Sequence, residues 1–259
     1  MDQLNPEAQP DMMTPAPHRR RVWKFWGTLL WGLFVALAMV AGQIVVIFYF
    51  LMRREEPRDL ITASSLVGDG PTLGLSVIAG LPAVVAALWL ATRFTSTSFA
   101  DYLALRRPSW WQVLLGAVGL ALLVGAWEVI SRATGREVAP EFMINVMKSA
   151  QDSAGVLSLL VVAFCVAAPV TEELFARGFL YRGWSETALR PVGAILLSSA
   201  AWTALHLQYD WFFFGEIFTI GVWLGFLRYR FNSIWPTIIV HGLNNLAAVI
   251  QTIWLAGQS

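Results

Sequence analysis

The chain has 259 residues, 57% of them hydrophobic and only 14% charged, with 13 Trp, 16 Phe and a mean hydropathy of +0.59. A soluble domain carries about 25% charged residues, so this composition describes a polytopic membrane protein. The net charge of +1 excludes nucleic acid as the organising partner, and the single cysteine, Cys165, excludes an intrachain disulfide and a cysteine-cluster metal site.

Residues 1–22 are proline-rich and close on Arg19-Arg20-Arg21. They read as a disordered cytoplasmic tail whose basic end places the N-terminus inside. Residues 23–155 form an N-terminal region with spans at 25–52, 73–91 and 113–130, the second kinked at Pro82. Between them lie a charged loop with Glu55, Glu56, Arg58 and Asp59, and a segment at 99–107 of interfacial character. Glu128 falls near the end of the third span, where it reaches headgroups or water, and the polar stretch 131–155 has room for a short surface helix. Residues 156–256 form a candidate catalytic core, with a span at 156–184 kinked at Pro169 and further spans at 192–207, 211–227 and 234–255. Lys and Arg occur in nearly every connection. The expected fold is all-α, a polytopic transmembrane bundle of about seven to eight helices.

The fourth span holds Glu172, Glu173 and Arg177. An ionisable group at membrane depth is costly and faces a bundle interior or a wet cavity, by default with a function. Glu173 and Arg177, four residues apart, share a helical face and pair. Glu172 points about 100° away from Glu173 and is the carboxylate left for general-base or proton-shuttle work. The competing reading makes both acids anchors for neighbouring helices. The protein has three histidines, two of them in apolar spans: His206, four after Trp202, and His241, four before Asn245. Each alone could be a helix-to-helix hydrogen-bonding group. Together, Glu172, His206, His241 and Asn245 come from three spans that can converge on one polar cavity.

The order E-E-x-x-x-R, aromatic-x-x-x-H and H-x-x-x-N resembles the CPBP family, the type II CAAX prenyl protease and bacteriocin-processing membrane proteins also called Abi. The resemblance covers about 156–255 and departs where the family commonly has Phe and this chain has Trp202. It implies a membrane-embedded endopeptidase in which Glu172 and His206 activate a water. His241 and Asn245 would stabilise the oxyanion, while Glu173 and Arg177 orient the helix. It also implies no cofactor. Zinc remains the metal to weigh, since two His and a Glu form some hydrolytic sites, although H-E-x-x-H is absent. Expected partners are a peptide or lipidated peptide and membrane lipids, in the plasma membrane of a prokaryote with the N-terminus cytoplasmic. The competing functions are a non-catalytic scaffold or bacteriocin self-immunity protein, a zinc-dependent intramembrane protease and a proton-coupled transporter.

Overall fold

A backbone that enters lipid must satisfy every N–H and C=O within itself, and a helix does so. In the computed structural model, which describes residues 22–53, 66 and 68–258, six helices are long and apolar enough to cross a membrane. Residues 1–21 of the tail expected over 1–22, and the loop residues Glu55, Glu56, Arg58 and Asp59, lie outside the described residues.

The helices are α1 (Phe25–Arg53), α2 (Gly70–Arg93), α3 (Trp110–Ala133), α4 (Glu141–Ala150), α5 (Ala154–Ser185), α6 (Arg190–Thr203), α7 (Trp211–Phe231) and α8 (Trp235–Ala256). Local chemistry sets their starts. Asp69 accepts from the backbone N–H of Thr72 to cap α2, and Asp210 accepts from Phe212 and Phe213 to cap α7. Ser109 and Gln112 form a capping box at α3. Of these eight helices, α4 and α6 are too short to cross. The 14 residues of α6 rise about 21 Å, against a hydrocarbon core of about 30 Å. The span expected at 192–207 therefore returns only part of the way, and residues 204–210 connect it to α7 without helix. Irregular backbone at such depth is tolerated where it lines a cavity, and this stretch does.

The bundle packs around α5. Phe175, Phe179 and Leu180 are buried against Val84 and Leu88 of α2 and Val35 of α1, while Leu30, Leu37 and Val45 of α1 stay exposed, as lipid-facing side chains should. The segment at 99–107 departs from its interfacial expectation. Phe99–Tyr102 makes one helical turn, and Tyr102, Leu103 and Ala104 are buried. Tyr102 stacks on Phe179. Ala104, at φ +55°, turns its carbonyl to accept from the N–H of Ile234. Packing partners and a backbone hydrogen bond thus draw an apparently amphipathic stretch into the bundle.

Candidate active site

The site begins with a defect in α5. Ala163–Ala167 and Leu174–Leu180 wind as π-helix on either side of the Glu172–Glu173 pair, a local bulge often found at functional positions. Before the pair, Ala168 N–H reaches back to the carbonyl of Ala163. Pro169, next in line to serve Phe164, has no N–H. The Phe164 carbonyl is thereby left for a partner outside the helix, and Asn245 Nδ2 of α8 donates to it at 2.9 Å. Gly242 makes that approach possible, because a Cβ there would lie 2.6 Å from the Cys165 carbonyl oxygen.

Beneath the pair lies a dry layer. Glu173 and Arg177 have no side-chain exposure, and Arg177 Nη1 donates to Glu173 Oε1 at 2.7 Å. Arg177 Nη2 donates to the Gly221 carbonyl at 2.9 Å, and the guanidinium sits 4.4 Å from the centre of the Trp202 ring. His241 Nδ1 faces the same Glu173 oxygen at 3.1 Å. A carboxylate can only accept here, so Nδ1 carries the proton.

Above this layer is a cavity of about 970 Å³ whose walls include Glu172, Trp202, His206, His241 and Asn245. All of the proposed reacting residues therefore meet one space, although they come from α5, α6, the connection after it and α8. The side chain of Glu172 is 18% exposed. Its Oε2 accepts from Trp202 Nε1 at 2.5 Å and lies 3.9 Å from His241 Nε2. Glu172 thus has a fixed donor that sequence spacing does not reveal. His206 Nδ1 faces the Trp202 carbonyl at 3.1 Å; a carbonyl can only accept, so that nitrogen is the donor and Nε2 is the other ring nitrogen left for a further partner.

Two further residues complete the walls, and neither stands out in the sequence reading. Tyr209 packs against His206, ring centroids 6.0 Å apart. Glu216 of α7 also lines the cavity. The rule that singled out Glu172, an acid inside an apolar span, applies equally to Glu216. Glu128, expected at the span end, lines the same cavity and pairs with Arg132 at 2.6 Å. Among the described residues, no three His, Cys, Asp or Glu side chains are grouped so that they could hold a metal ion.

Comparison with known proteins places this site in a recognised segment. Residues 154–247 match a family described as type II CAAX prenyl endopeptidase, Rce1-like. The UPF0177 protein YbdI of Lactococcus lactis subsp. lactis (strain IL1403) is 35% identical over 85 residues, which is 33% of this chain and 44% of that protein. The chain thus matches less than half the length of that curated relative. No solved structure matches.

Proposed function

We propose, from the match of residues 154–247 to the family described as type II CAAX prenyl endopeptidase, Rce1-like, that this membrane protein is an endopeptidase using Glu172 as general base. The observation that carries the reading is the meeting of Glu172, His206, His241 and Asn245 on one cavity. Trp202 holds Glu172 Oε2 and leaves Oε1 to take a water. His206 Nε2, with its lone pair, receives a second hydrogen bond from that water. The water attacks the peptide carbonyl as its proton passes to Glu172, and the same carboxyl returns the proton to the departing amine.

The developing oxyanion needs donors. Asn245 gives one Nδ2 hydrogen to Phe164, so its second amide hydrogen is the one that can serve. His241 gives its Nδ1 hydrogen to Glu173, so it donates from Nε2 only when it carries both protons. Glu173 and Arg177 act below, keeping His241 and Trp202 in place. No step is routed through a metal. The substrate is a peptide or lipidated peptide, and the setting is a prokaryotic plasma membrane with the N-terminus in the cytoplasm.

The test is peptide processing by purified protein in liposomes, comparing wild type with Glu172→Gln. Loss of cleavage with unchanged thermal unfolding supports the reading. Equal cleavage by both proteins removes Glu172 from the chemistry, and no cleavage by either leaves the motifs to a scaffold.

A further inference from the structure

The helices alternate in direction, so the two ends of the bundle can be assigned from contacts. At one end, Trp184 Nε1 of α5 donates to the Phe25 carbonyl at the start of α1 at 3.3 Å, and Ser233 Oγ donates to the Arg106 carbonyl at 2.6 Å. At the other, the Gly70 N–H at the start of α2 donates to Ser149 Oγ of α4 at 3.2 Å, and Trp127 Nε1 near the end of α3 donates to Thr219 Oγ1 of α7 at 2.8 Å.

Basic residues are divided unevenly between these ends. The first carries Lys24, then Arg93, Arg106 and Arg107 around the α2–α3 connection, then Arg182 and Arg190, then Arg230. Among the described residues, the second carries Arg53, Arg132, Arg136 and Lys148. Orientation follows Lys and Arg in short connections, with acids contributing little. The first end is therefore cytoplasmic, although Lys and Arg appear in nearly every connection when read along the chain.

The cavity extends toward the other end. From α2 it takes Leu73 and Val77, in the first two turns, and from α3 Glu128 and Ser131, in the last two. From α5 it takes nothing beyond Glu172, whereas from α8 it runs on to Trp254. Phe142 and Met143 of the short helix α4 line it as well. Glu172 stands 13 residues from the Ser185 end of α5, about 20 Å by helical rise.

We propose that the cavity receives its substrate from the extracytoplasmic side, so that the clients are polypeptide segments already carried across the membrane or outward-facing ends of membrane-anchored chains. The identity of the client as a peptide rests on the endopeptidase reading above. The direction of access rests on the fold and the charge distribution alone.

Single cysteines placed in a Cys165→Ala background, labelled in intact cells with a membrane-impermeant maleimide, test it. Gln151→Cys lies beside α4 at the end toward which the cavity extends, Gln208→Cys on the cavity wall, and Ala188→Cys in the α5–α6 connection; all three positions are exposed. Labelling of Gln151→Cys and Gln208→Cys in intact cells, with Ala188→Cys labelled only after permeabilisation, is the expected result. Labelling of Ala188→Cys in intact cells overturns the proposal, as does protection of Gln208→Cys until the cells are opened. Labelling needs no turnover, so an inactive protein would count against the endopeptidase reading and leave this result to stand or fall separately.

Discussion

Glu172 and Glu173 are adjacent in sequence and occupy opposite chemical environments. Glu173 has no exposed side chain and is held by Arg177 and His241, in a layer from which water is excluded. Glu172, one helical step round, touches a cavity of about 970 Å³ and accepts a hydrogen bond from Trp202. The comparison shows how a membrane helix separates structure from chemistry. A buried carboxylate costs several kcal/mol unless paired and hydrogen-bonded, so the paired acid serves the fold and the wet one is left able to exchange a proton.

The sharpest way to break this contrast is to neutralise Glu172 and, separately, the cation that pairs with Glu173. Glu172→Gln is expected to lower peptide cleavage by about 10²–10⁴-fold, the usual share of a general base, with thermal unfolding in detergent unchanged. Arg177→Met should do the reverse, destabilising the fold by about 3–5 kcal/mol because it leaves Glu173 buried without its cation. Adding Glu173→Gln to Arg177→Met should recover part of that loss in a denaturation measurement. If Arg177→Met unfolds no more readily than wild type, the dry layer is not what holds α5.

Smaller changes sharpen the contrast. Asn245→Leu strips the Phe164 carbonyl of its donor and is expected to cost about 1–3 kcal/mol, the penalty of an unsatisfied buried acceptor, readable as a lower unfolding midpoint. Trp202→Phe keeps the aromatic wall and removes the hydrogen bond to Glu172. It should change turnover by no more than about tenfold, or about 1.4 kcal/mol, measured as kcat on the same peptide. A larger loss would make the Trp202 donor a requirement of this chain's chemistry.

Much of the fold is legible because the bilayer allows few solutions. Apolar runs of sufficient length become helices, and the lengths of α1, α2, α3, α5, α7 and α8 follow from hydropathy. The Glu173–Arg177 pair is also legible, since a four-residue interval on a helix is a local relation. The extent of α6 was not, because its end depends on a cavity that only the assembled bundle creates. The burial of Tyr102 and Leu103 was missed for a similar reason: their partners, such as Phe179, lie far along the chain. Tyr209 and Glu216 join the site from the far side of that cavity, and no interval in the sequence links them to Glu172.

By itself, then, the sequence determined the helical class, the membrane setting, the motif residues and the pairing of one acid with its arginine, all of which depend on composition or on neighbours within a helical turn. The tertiary structure alone decided which carboxylate meets the cavity, which carbonyl Pro169 leaves for Asn245, how Trp202 reaches Glu172 and toward which end the cavity extends. Those features arise from contacts between helices distant in sequence, where packing and the need to satisfy buried polar groups select one arrangement.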